Sequence, residues 1–130
     1  MIVIDGKNAT MGRLASYAAK QALNGEEIAI LNAELVIITG NKEFIRKEFL
    51  IKRGRVGSGQ RGPTASKNPE KYLKRVIRGM LPNYRWGRGK SALGRIKCYK
   101  GIPKAFESVK KISAGKDKSA KFMQLKEILK

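Results

Sequence analysis

The first thirty-one residues switch hydrophobic period twice, and that switch limits the fold more than any other feature of the chain. "MIVID" reads as a short apolar strand. Met11, Leu14, Ala15, Ala18, Ala19, Ala22 and Leu23 then recur at three- and four-residue intervals. Such spacing predicts a helix with one buried face, and the alanines on that face predict close packing. Thr10 stands where an N-cap belongs, and Asn24-Gly25 is a stop signal. "EEIAILNAE" follows as a second strand, almost wholly apolar and therefore covered on both faces. Strand, helix and buried strand within about 30 residues make a βαβ unit, whose strands must lie parallel in one sheet. The chain is thus an α/β protein.

The remainder is less regular. "ELVIITGN" predicts a further short strand ending in a turn at Gly40-Asn41, and "NKEFIRKEFLIKRGR" a helix running into a glycine-rich loop. Asn68 as cap and Pro69 at the first helical position open a later helix, with Leu73, Val76, Ile77, Met80 and Leu81 on its apolar face and Pro82 as its end. A short helix is expected around "GRGKSALGR", then "IKCY" as a last strand. Residues 103–121 show no clear period, and "FMQLKEILK" reads as an amphipathic turn or two. There are no internal repeats, and 130 residues make a single domain able to bury roughly two-thirds of its unfolded surface.

Charge separates the chain into unequal parts. Residues 1–45 carry four Lys/Arg against five Asp/Glu, residues 46–100 seventeen against two, and residues 101–130 eight against three. The front third is a neutral folding unit, the middle a basic surface and the end a basic tail. An excess this large and this localised favours a polyanionic partner. No apolar run reaches the roughly 18 residues of a membrane span, and no signal peptide opens the chain. With one cysteine, Cys98, no internal disulfide can form, which fits a reducing cytoplasm. Histidine is absent, so nucleophilic His-dependent triads and His-containing zinc sites are excluded.

Two phosphate-loop patterns fail on context. In "RVGSGQRGP", Gly57, Gly59 and Gly62 spell G-x-G-x-x-G, but no buried strand precedes them and no helix follows at once. No acid lies about 20 residues on to hold a ribose. In "GRGKSA" the residue five before Gly89 is Tyr84 rather than the glycine a Walker loop needs. Both stretches read instead as cationic surfaces: glycines let backbone approach a phosphate chain, and arginines fork onto its oxygens. The glycine loop is expected to be disordered alone and ordered on a polyanion. The candidate RNA-binding residues are Arg53, Arg55 and Arg61, then Lys67, Lys71, Lys74, Arg75 and Arg78, and finally Arg85, Trp86, Arg88, Lys90 and Arg95. Trp86 suits either stacking on bases or ordinary core packing. Only Glu48 and Glu70 lie in the basic half, too few for a two-metal site, and Asp5 and Glu34 suit capping and turns.

Taken in order, "IDGKNATMGRLAS", "ILNAELVIITGNK", "RGP", "RVIRGMLP" and "GRGKSALGRIKCYKGIP" resemble the large-subunit ribosomal protein thirteen family, over roughly residues 2–106. The start at the first strand and the "RGP" are similar to its archaeal and eukaryotic branch, and the tail, shorter than in eukaryotic relatives, points to an archaeal source. The resemblance implies a three-layer α/β/α domain around a four-stranded parallel sheet, with basic loop extensions. It also implies a structural, non-catalytic constituent of the large ribosomal subunit, bound to folded rRNA from early assembly, with neighbouring ribosomal proteins as partners. No cofactor, metal, membrane, small-molecule substrate or homo-oligomer is expected. Two rival readings remain: a DNA-coating architectural protein, and a nucleotide or phosphoester enzyme. The enzyme would need a carboxylate cluster or a true phosphate loop. Phe122, Leu125 and Leu129 are expected either to dock on a neighbouring protein or to pack on the domain itself.

Overall fold

The βαβ unit at the front forms the centre of the molecule. The computed structural model describes residues 1–55, 66–113 and 121–129. Strand β1 (Ile2–Asp5) pairs in parallel with β2 (Ile28–Leu31), Ile2 opposite Ile28 and Ile4 opposite Ile30. Between them runs helix α1 (Met11–Leu23), ended by Asn24 and by Gly25 at φ 96°. Strand β4 (Ile96–Cys98) adds in parallel to β2, and β5 (Ile112–Ser113) to β1, so the four-stranded sheet runs β4-β2-β1-β5.

Strand periodicity sorts the side chains. Ile4, Ile28, Ile30 and Ile96 face one way, into the main core with Leu14, Ala15, Ala18 and Ala22 of α1. Helices α3 (Pro69–Gly79) and α4 (Gly87–Gly94) pack on α1 and bring Leu73, Ile77 and Ala92 into the same core. Alanines leave room for this close approach. Val3, Ala29 and Leu31 face the other way, against Tyr99 and Phe106. The result is the three-layer α/β architecture with outer layers of unequal depth. Among the described residues, the second layer is carried by the 3-10 turn Lys104–Phe106.

Several elements differ from their sequence reading. The segment after β2 does not extend the sheet, because β2 already has β1 and β4 as neighbours. Asn32, at φ 55°, turns the chain into a 3-10 turn (Ala33–Leu35), and β3 (Ile37–Thr39) pairs antiparallel with β6 (Phe122–Gln124) instead. The chain end read as helical turns is therefore partly a strand, drawn out by the unpaired edge of β3, with only α5 (Leu125–Ile128) helical. Leu125 and Leu129 are buried in this domain's own core, with Met123 and Ile128, so they are not exposed anchors for a neighbour. The fourth sheet strand, β5, arises in the stretch without a period. Helix α2 (Lys42–Gly54) has the Asn41 side chain as its cap. At α3 the Asn68 side chain accepts from the Glu70 amide as expected, but the helix stops at Gly79, before Pro82, and Met80 is exposed. Thr10 occupies the N-cap position of α1 without a capping hydrogen bond, its buried hydroxyl unpartnered.

The front carboxylates hold turns. Asp5 accepts from the Lys7 amide at 3.0 Å and from Asn32 Nδ2 at 2.9 Å. Glu34 accepts from the Gly101 amide at 3.0 Å, and Glu70 from the Lys100 amide at 2.8 Å, which together fix the chain after β4. Among the described residues, no cluster of three or more His, Cys, Asp or Glu is placed to hold a metal, and no helix is long and apolar enough to cross a membrane.

Candidate nucleic-acid interface

Four cations gather on α3. Leu73 and Ile77 are anchored in the core, and this fixes the rotation of the helix and turns Lys71, Lys74, Arg75 and Arg78 outward along one flank. These four line a hollow of about 440 Å³ with Ser66, Tyr72 and Leu93 of α4. Neighbouring like charges on a helix surface cost a few tenths of a kcal/mol per pair. The acid of this helix, Glu70, is occupied by the Lys100 amide. Fold stability gains nothing from such a grouping; an anion laid across it does.

Beyond α3 the chain makes a cationic turn. The Asn83 side chain accepts from the Arg85 amide at 3.0 Å, and Gly89 of α4 sits so close that a Cβ there would meet the carbonyl oxygens of Pro82 and Asn83. This contact, not a nucleotide, is what requires Gly89 in "GRGKSA". The turn projects Tyr84 between two guanidinium groups, with Arg78 at 4.5 Å and Arg85 at 5.7 Å from its ring centroid. A hydrogen bond from Arg85, then the charges of Arg85 and Arg78, lower the Tyr84 hydroxyl from its ordinary value of 10.0. Trp86 is 67% exposed, so the core-packing alternative is removed. Arg88 and Lys90 continue the exposed surface along α4.

Not every candidate joins this surface. Arg95 is directed inward, its guanidinium donating to the Ala22 carbonyl at 2.9 Å at the end of α1. Lys74 lies near Cys98, whose thiol burial pushes up to about 12 against the opposing pull of that charge. Arg53 and Lys67 both line a hollow of about 320 Å³ on the other side of α2, with Arg46, Phe49 and Glu127. Arg55 instead lines a hollow between α2 and α3. Arg61 and the three loop glycines lie outside the described residues. The sequence reading passed over Lys52, which joins Arg55 and Arg75 there, and Tyr72, which it gave no role. Its only sequence signal was the three-residue step from Phe49 to Lys52 to Arg55.

Residues 1–105, spanning β1 through the turn after β4, match the sequence profile of ribosomal protein L13. The chain belongs to the ribosomal protein L13 family. Among its relatives is the large ribosomal subunit protein uL13 of Methanocaldococcus jannaschii, 44% identical over 133 aligned positions, covering 100% of this chain and 96% of that protein. The proteins of the same description from Methanococcoides burtonii and Natronomonas pharaonis are 44% and 41% identical, covering 87% and 98% of this chain and 80% and 87% of theirs. An archaeal relationship is thereby supported, and L13 is a structural ribosomal protein family, not an enzyme family. The family match ends before β6 and α5, yet the Methanocaldococcus relative aligns across both.

Proposed function

We propose that this L13-family chain is a structural constituent of the large ribosomal subunit in the cytoplasm, binding folded large-subunit rRNA from an early stage of assembly beside neighbouring ribosomal proteins. The observation that carries the reading is the outward flank of α3 continuing into the Tyr84–Trp86 turn, where cations and exposed aromatic rings interleave. Arg and Lys neutralise phosphates, and the rings offer faces to bases. Lys67, Lys71, Lys74, Arg75, Arg78, Arg85, Trp86, Arg88 and Lys90 form the proposed contact set, extended by Arg53, Arg55 and Arg61. Arg95 acts through the scaffold.

Co-sedimentation of the native chain with the large ribosomal subunit tests the reading, with release only at high salt as the expected result. For 6–10 neutralised phosphates, affinity falls by about three to five orders of magnitude between 50 and 200 mM salt. A flat salt response refutes the electrostatic mechanism. Equal affinity for duplex DNA and rRNA fragments in competition refutes the ribosomal role in favour of DNA coating.

A further inference from the structure

The hollow between α2 and α3 brings both members of an aromatic pair, Phe49 and Tyr72, into one cationic lining. Phe49 is buried and meets Tyr72 edge-on, the ring centroids 5.9 Å apart and the planes at 64°. Tyr72 is half-buried, and Val76 lies one helical turn further along beside it. Lys52 and Arg55 stand on the α2 side and Arg75 on the α3 side, with no acid in the lining. The volume, about 400 Å³, lies in the range of sites for small ligands and is ample for one planar base. Phosphates alone would use the cations and leave the Tyr72 ring uncovered; an apolar side chain would cover the ring and leave three cations unmatched. A nucleotide, with a flat aromatic ring between two phosphates, satisfies both.

We propose that this hollow receives one unpaired nucleobase of the bound RNA, laid against Tyr72, which Phe49 backs from the core, while Lys52, Arg55 and Arg75 hold the phosphates on either side. Arg75 and Tyr72 also line the hollow between α3 and α4, so the strand continues from the base site onto Lys71, Lys74 and Arg78. A paired base in an A-form helix offers no free face, so the occupant is a bulge, loop or strand end. Stacking accepts every base, so the selectivity is for an unpaired position rather than for a letter. The inference rests on the RNA-binding reading above and adds to it a contact at the level of a single nucleotide.

The test uses the full chain and three RNA hairpins: fully paired, carrying one unpaired nucleotide, and carrying an abasic linker at that position. Affinity is expected to be about tenfold tighter for the hairpin with the unpaired base than for the other two, the effect of stacking one base. Tyr72→Phe keeps the preference and Tyr72→Ala abolishes it, while both retain salt-dependent binding to the paired hairpin. A 2-aminopurine at the unpaired position changes its emission on binding the native chain and Tyr72→Phe, but not Tyr72→Ala. The abasic hairpin reports on the base without altering the protein, so a folding defect in Tyr72→Ala leaves the result decisive. Equal, steeply salt-dependent affinity for all three hairpins overturns the base site and leaves RNA binding standing. Failure to bind any of them overturns both.

Discussion

Gly89 offers the sharpest test of how the scaffold holds its cationic turn. A Cβ at this position would meet the carbonyl oxygens of Pro82 and Asn83, and backbone carbonyls cannot swing aside as a flexible side chain can. In Gly89→Ala either α4 or the turn that carries Tyr84 and Arg85 must move. Overpacking of this kind costs about 1–3 kcal/mol. The unfolding entropy of a chain of 130 residues is about 0.27 kcal/mol/K, so Tm falls by about 4–11 °C. Gly12, on the exposed side of α1, has nothing within 4 Å of an added Cβ and supplies the control. There the same substitution gains about 0.5–1 kcal/mol from helix propensity, raising Tm by about 2–4 °C. Thermal melts of both variants by circular dichroism, at one protein concentration and one salt concentration, decide the matter. RNA affinity measured well below both transitions should fall for Gly89→Ala and stay constant for Gly12→Ala. A Gly89→Ala protein melting at or above the native Tm refutes the close approach and the positioning role built on it.

Replacing Arg95 by Met removes a charge-assisted bond to the Ala22 carbonyl, which keeps a second partner in the Gly25 amide. The expected loss is about 1–2 kcal/mol in melts, with RNA affinity unchanged below the transition; a fall in affinity would return Arg95 to the interface. Converting Lys71, Arg75 and Arg78 together to Gln should lower the slope of log affinity against log salt by about 2–3. Relief of like-charge repulsion leaves Tm level or slightly raised, and an unchanged slope excludes these residues from phosphate contact. The Cys98 thiol, raised from 9.0 to about 12 by burial, stays protonated in the native chain at pH 8, so iodoacetamide labels it slowly until urea unfolds the protein. Because the folded value is raised, its contribution to stability is complete below about pH 9 and disappears as pH climbs towards 12. Fast labelling of the native chain at pH 8 would contradict this burial.

The parts of the fold legible in the sequence were those set by local periodicity. Met11 to Leu23 could only bury one face as a helix, and the two apolar runs flanking it could only return in parallel, as β1 and β2 do. What remained illegible depended on edges. "IIT" carries the same β-branched signal whether it joins the main sheet or a separate pair, and the choice was made by β4 occupying the place beside β2. "FMQ" is a strand because its partner β3 lies some eighty residues earlier in the chain, a long-range fact that no window on "FMQLKEILK" contains.

For the site, charge density identified the correct half of the chain but could not sort its members. Arg95 and Arg75 are the same residue type in the same basic half, yet one caps α1 from within and the other lines two hollows. The difference lies in what each faces: the Ala22 carbonyl at the end of α1 accepts the Arg95 guanidinium beside the Gly25 amide, whereas Arg75 sits two residues before Ile77, on the flank that Ile77 turns outward. Tyr72 and Phe49 drew no reading from the sequence, because no local pattern shows that they meet; only their packing across α2 and α3 brings the two rings together. The alanine face of α1 links these facts. By letting α3 and α4 approach closely, it crowds Lys71, Lys74, Arg75, Arg78 and Arg85 onto one side of the domain. That crowding weighs against the free fold and is relieved by any polyanion, so non-specific RNA should already stabilise the chain. Among the described residues, discrimination among RNAs then comes from the places where something other than charge is offered, the exposed Tyr84 and Trp86 and the ring of Tyr72.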